Sequence, residues 1–335
     1  MTLQVIGADE LRRHVCFEDL IEPVSRAFQQ SSAGEADNGL IVAFPLADRT
    51  RGDVYVKTGT LRGHSVYIVK VSPWFAANVE RKQPQGGFIA VFDSETGHTR
   101  ALLDEQHYLS DIRTAAAGAL AARVLAPAEV TTVTVVGAGV QAYWQVRALY
   151  RERPFAVLQI VARDRERAQE LGRRLTEALP AIDVRFLDLE RSVRTADVVI
   201  TATSAREPFL DGSWLRAGQH ITAVGADDPT KCELLPNALR RAEVFVDSIE
   251  TSTRNGDVLR AIEEAGYQPS MLGGELGDVL AARHAGRTSA DQITIAKFVG
   301  IGTQDLVAAE VALEKHALAE GMDPRLGAQR PRKTG

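Results

Sequence analysis

Residues 131–149 read TTVTVVGAGVQAYWQVRAL, a β-branched apolar run that passes through Gly137-Ala138-Gly139-Val140-Gln141-Ala142 into a segment with helical spacing. Strand, glycine turn and helix in that order form a phosphate cradle. The first glycine permits the tight turn, the second lets backbone amides approach a pyrophosphate, and the small Ala142 lets helix pack on strand. Gly137, Ala138, Gly139, Val140 and Gln141 are therefore assigned to dinucleotide binding.

Outward from this turn the chain alternates strand and helix, as a parallel sheet requires because each crossover needs a helix. Apolar strands are predicted at 131–136, 157–162, 183–187, 197–203, 220–226 and 243–248, and the charged run 165–179 (RERAQELGRRLTEAL) is a helix with a solvated face. Ligands bind such sheets at the carboxyl ends of the strands, so Thr203, Val224 and Gly225 join the cofactor site. The strand 157–162 ends in Ala162-Arg163-Asp164, where an NAD-specific fold would offer a carboxylate to the ribose. Ala162 cannot do so, whereas Arg163 suits a 2'-phosphate. NADP or NAD is expected, with a preference for NADPH.

Before the cradle the pattern is different. Residues 9–30 read as helical, with Asp9 as a cap, and 40–103 hold short β runs that predict a meandering sheet. An alanine-rich helix follows at 109–125, with Ser110 and Asp111 as cap chemistry and Pro127 as its stop. From 293 onward a glycine-broken segment leads into a long amphipathic helix, and 327–335 (GAQRPRKTG) is a frayed basic tail. The fold class is α/β: a Rossmann-type doubly wound parallel sheet plus an α+β dimerisation and substrate domain. The expected organisation is 1–126 for the substrate-binding and dimerisation domain, 127–300 for the dinucleotide domain, and 301–335 for a C-terminal helix returning to the first.

The 335 residues exceed one hydrophobic core, and 45% hydrophobic with 25% charged residues is ordinary globular composition. A net charge of -5 provides no basic field for nucleic acid. No apolar run approaches the roughly 18 residues of a membrane span. Charges at Asp9, Glu10, Arg12 and Arg13 interrupt the apolar core an export signal needs, so no export is expected, and two distant cysteines, Cys16 and Cys232, fit a reducing cytoplasm. The histidines lack metal-ligand spacing, so no metal is expected; His107 reads as a surface or core residue and Cys232 as a packing residue.

Three runs, DIRTAAAGALAARVLA (111–126), VVGAGVQA (135–142) and VGADDPTKCEL (224–234), together resemble the ornithine cyclodeaminase and mu-crystallin family. The likeness extends over about 54–311 and includes KFVGIGTQD (297–305). It implies a homodimer whose first domain, completed by the C-terminal helix, is the dimer platform. It also implies enzymes that interconvert amino and imino acids with a nicotinamide cofactor. By motif, Arg113 and Lys70 correspond to the groups that hold the substrate carboxylate. Lys57 is a further candidate, and Asp227, or Asp228 beside it, corresponds to the acid that handles protons.

Two departures bear on the substrate. Residues 43–47 read AFPLA where ornithine-specific members carry an arginine, and Lys57 stands where those members are expected to have a glutamate. The segment is more similar to the ectoine-utilisation branch. Reduction of a small, anionic imino acid is therefore the expected activity. The alternatives are a redox-neutral ornithine cyclodeaminase and a non-catalytic ligand-binding protein.

Overall fold

The computed structural model describes residues 3–321; the basic tail read at 327–335 lies outside them. Contacts divide the chain into two units. Of the described residues, the first takes those up to Ala27, Glu35–Arg113 and those from Ile301 onward; the second takes Phe28–Gly34 and Thr114–Gly300. The division falls inside the helix Tyr108–Leu125 rather than at residue 126. Ala122 and Ala126 already belong to the apolar core of the second unit.

In the first unit six strands are β1 (Gln4–Gly7), β2 (Ala36–Ala43), β3 (Gly52–Leu61), β4 (Val66–Phe75), β5 (Phe88–Asp93) and β6 (Thr99–Asp104). They form one sheet in the order β1-β6-β5-β4-β3-β2. The stretch β2 to β6 is the antiparallel meander the turn signals predict. β1 went unpredicted because four residues ahead of a helix show no period; it pairs parallel with β6. Asp9 is not a cap: Gly7 holds that position, and Asp9 lies in the first helical turn beside Arg12.

The helix Gly302–Ala319 begins directly on β3. A Cβ on Gly302 would lie 2.0 Å from the Thr58 carbonyl oxygen, and one on Gly59 2.4 Å from the Gly302 carbonyl carbon. Two glycines thus let backbone meet backbone, which fixes where Gln304 and Asp305 stand. The helix is not amphipathic along its length, since 302–309 are buried all round.

The second unit holds β7 (Thr132–Val136), β8 (Val157–Val161), β9 (Asp183–Phe186), β10 (Val198–Thr201), β11 (His220–Ala223), β12 (Glu243–Val246), β13 (Gly274–Glu275) and β14 (Thr294–Lys297). All its pairings are parallel, in the order β13-β12-β14-β11-β10-β7-β8-β9. The chain winds from β7 through β8 to β9, then returns to β7's other side at β10. Doubly wound sheets bind ligands at such a reversal, outside the carboxyl ends of the flanking strands, which here are β7 and β10.

The sheet has eight strands where six were predicted. β13 is only two residues, and β14, TIAK, sits between β12 and β11. A strand buried on both faces shows no polar alternation, so TIAK read as part of the glycine-broken segment ahead of the last helix. Elsewhere successive strand residues do face opposite cores. Val133, Val135, Val198 and Ile200 enter one cluster, while Val136 and Val199 enter the other.

Candidate active site

In the first unit, β4 carries Lys70 and the helix Tyr108–Leu125 carries Arg113, both almost fully buried. One carboxylate oxygen organises them. Asp305 Oδ1 accepts from Lys70 Nζ at 2.9 Å and from Arg113 Nε at 2.9 Å. Arg113 Nη1 also donates to Gln304 Oε1 at 3.0 Å. Lys70 Nζ further donates to Ser110 Oγ at 2.8 Å, and that hydroxyl donates to Glu105 Oε1 at 2.7 Å.

Ser110 is therefore a relay inside the helix rather than a cap. Its backbone N–H is met by Glu105 Oε2 at 2.8 Å, so Glu105 closes the helix start. Lys57 is the cross-strand partner of Lys70, is buried, and lies 5.7 Å from the Tyr55 ring centroid. Burial alone would raise the Asp305 carboxyl. The charges of Arg113, Lys70 and Lys57 overcome that and hold it at about 2. Three cationic side chains against Asp305 and Glu105 leave a formal charge of +1, an environment that attracts a carboxylate.

In the second unit the glycine turn has the geometry of a dinucleotide cradle. Gly137 sits at φ +119°, donates to the Val161 carbonyl at 2.8 Å, and would bring a Cβ to 2.3 Å from the Ala202 oxygen. Only glycine fits there. A Cβ on Gly139 would meet nothing within 4 Å, and Gly139 begins the helix Val140–Glu152 with no side-chain cap. The positive end of a helix dipole with uncapped N–H groups beside open space suits a pyrophosphate, so the residues present fit the cofactor.

At the carboxyl end of β8 Arg163 is exposed, while Asp164 caps the next helix by accepting from Arg167 N–H at 3.1 Å. Thr203 follows β10, the neighbour of β7, and Val224-Gly225 follow β11 on the other side of β10.

The loop after β11 treats its two aspartates differently. Asp228 is fully buried, and its Oδ1 accepts from Thr230 N–H (2.6 Å), Thr230 Oγ1 (2.6 Å) and Lys231 N–H (3.0 Å). It shapes the turn. Asp227 keeps its side chain one-third exposed and receives Lys231 Nζ at 2.8 Å. Lys297 Nζ, at the end of β14, holds the Ala226 carbonyl at 2.6 Å just before it.

Other sequence candidates have structural partners. His107 Nε2 lies 2.9 Å from the Pro73 carbonyl oxygen. The thiol of Cys232 is buried, and burial with the charge of Asp257 pushes it far up, away from a nucleophilic thiolate. His220, fully buried between Thr294 and Thr222 hydroxyls, is pushed down by burial to about 3 and stays neutral. Among the described residues Glu10, His316 and Glu320 bring potential ligand atoms within 4.8 Å, but His316 is already hydrogen-bonded to Glu10.

Sequence reasoning missed Glu105, Gln304 and Asp305. Gln304 and Asp305 lie within the family-like run 297–305, where Asp305 is the one acidic residue of a glycine-bearing stretch, and that was the signal available.

Residues 3–319 match the sequence profile of the ornithine cyclodeaminase/mu-crystallin family. The chain belongs to that family. One family relative, an uncharacterised cyclodeaminase of Sinorhizobium fredii, is 38% identical over 94% of this chain and 96% of its own length. The fold matches the Δ1-pyrroline-2-carboxylate reductase of Thermococcus litoralis, solved with NADH and L-proline, at TM-score 0.88 and 26% identity, covering 96% of this chain and 99% of the other. It also matches the iminosuccinate reductase of Paracoccus denitrificans, solved with NAD+, at TM-score 0.83 and 26% identity over 95% and 97%. The family's fold, a Rossmann-like parallel sheet with a second α/β unit, is the one observed here. No helix among the described residues is long and apolar enough to cross a membrane.

Proposed function

We propose that this protein is a nicotinamide-dependent imino acid reductase or amino acid dehydrogenase acting at C2 of a small, anionic substrate. The observation that carries the reading is the buried cluster in which Asp305 orients both Arg113 and Lys70. A guanidinium and an ammonium so fixed grip a carboxylate in one orientation, which is most of what hydride transfer asks of a protein. Lys57, beside Lys70 on the next strand, would take a second carboxylate and repel a basic side chain. The substrate named for the Paracoccus relative, iminosuccinate, is a dicarboxylate.

In this reading Gly137, Ala138, Gly139, Val140, Gln141, Thr203, Val224 and Gly225 hold the dinucleotide, which supplies or accepts the hydride when bound. Asp227 moves a proton at the substrate nitrogen, since its carboxylate stays one-third exposed while Asp228 is committed to its turn. Exposed Arg163 favours NADP(H) over NAD(H), although both solved relatives carry the unphosphorylated cofactor. A homodimer through the first unit is supported by its exposed apolar side chains Leu3, Val5, Ile41, Leu46, Val79 and Phe88.

The test is a panel of keto acids paired with ammonia or amines, with NADPH and NADH. Consumption of reduced cofactor with dicarboxylic substrates, and a Lys57→Glu variant that shifts preference toward basic ones, is the expected result. No turnover with any pairing, or unchanged preference in the variant, overturns it. The cyclodeaminase reading is favoured by the 38% identical Sinorhizobium relative. Proline and ammonia from ornithine without net cofactor change would establish it.

A further inference from the structure

Glu233 lies outside every assigned role, yet its carboxylate is fully buried beneath the two loops that follow β10 and β11. Its Oε1 accepts from Thr203 N–H at 2.7 Å and Thr203 Oγ1 at 2.8 Å. Its Oε2 accepts from Gly225 N–H at 2.9 Å and Thr201 Oγ1 at 2.7 Å. Each oxygen therefore takes one backbone N–H, and the two N–H groups belong to different loops.

We propose that Glu233 is a positioning residue of the dinucleotide cradle, clamping Thr203 and Gly225 at the separation the bound cofactor requires. The inference rests on the cofactor-binding reading given above. Hydroxyls rotate to donate or accept, but a backbone N–H only donates. A glutamine here satisfies one loop through its amide oxygen and turns its NH2 toward the N–H of the other. Only a carboxylate with two acceptor oxygens serves both.

The surroundings keep this clamp rigid. A Cβ on Gly225 would lie 2.2 Å from the Thr203 carbonyl oxygen and 2.4 Å from Glu233 Oε1, so the loops touch with no side chain between them. Asp257, also buried, accepts from the N–H groups of Glu233 (2.6 Å) and Leu234 (2.8 Å), which anchors the backbone that carries the clamp. Burial and the nearby Asp257 push the Glu233 carboxyl up, against the donors that favour its ionised form.

The experiment compares the parent protein with Glu233→Gln and Glu233→Asp by quenching of intrinsic fluorescence on titration with NADH and NADPH, alongside steady-state kinetics and thermal melting. Aspartate keeps the charge but is one methylene too short to reach both loops, so it remains informative where the glutamine variant fails to fold. The expected result in each folded variant is dinucleotide affinity weakened about tenfold, with KM for dinucleotide raised and kcat at saturating dinucleotide within about twofold of the parent. Variants that bind both dinucleotides within about twofold of the parent overturn the clamp and leave the cofactor reading intact. A parent protein that binds neither dinucleotide overturns both.

Discussion

Replacing Asp305 with asparagine isolates the charge at the centre of the cationic cluster. Oδ1 accepts both Lys70 and Arg113, while Oδ2 is buried with no hydrogen-bond partner among the described residues. An asparagine placing its amide oxygen at Oδ1 keeps both hydrogen bonds, loses the negative charge and puts its NH2 at the partnerless Oδ2 position, so the charge sets the lower bound of the effect. The magnitude follows from linkage. A carboxyl held at about 2 in the folded protein, against 3.8 as its ordinary value, contributes about 2 kcal/mol at neutral pH.

The sign is that of a depressed carboxylate. The contribution is complete above the unfolded value of 3.8 and is lost as pH falls through about 2. Urea unfolding at pH 7 is therefore expected to show Asp305→Asn at least about 2 kcal/mol less stable than the parent, and the gap is expected to narrow once pH drops below about 4. Asp305→Ala also removes the acceptor and leaves Lys70 and Arg113 buried without it, so its loss should reach about 3–5 kcal/mol. A glutamine-sized control is unnecessary, since Asn and Asp have nearly the same volume. An Asn variant equal to the parent at pH 7, or a gap that does not change between pH 7 and 3, would refute the electrostatic account.

The two aspartates of the β11 loop should separate in function: Asp227→Asn should cut kcat at least about a hundredfold with little change in melting temperature. Asp228→Ala should instead cost about 1–3 kcal/mol of stability by stranding the Thr230 and Lys231 donors; comparing kcat and melting point in both variants checks the assignment. Arg163→Ala should raise KM for NADPH about tenfold and leave that for NADH unchanged, read from initial rates with each cofactor; equal effects on the two would remove the basis for an NADP preference.

Much of this protein was legible from local pattern. The glycine turn at 137–139 is a short-range device whose backbone demands are written in three consecutive residues, and the structure gives Gly137 the positive φ and Gly139 the open space those demands imply. The meander and the 108–125 helix were readable for the same reason, because period and turn residues act over a few positions.

What tertiary structure alone decided depends on contacts between distant residues. TIAK is four apolar or amphipathic residues that become a central strand only because β11 and β12 lie on either side. Asp227 and Asp228 are chemically identical neighbours until the turn buries one of them. Asp305 reaches Arg113 across 192 positions and Lys70 across 235, and Glu233 gathers donors from two loops about 30 and 8 positions away. Sequence records which residues are capable of such bonds. Which of them meet is set by how strands and helices pack, since a buried charge is tolerated only where folding brings its partners within hydrogen-bonding distance.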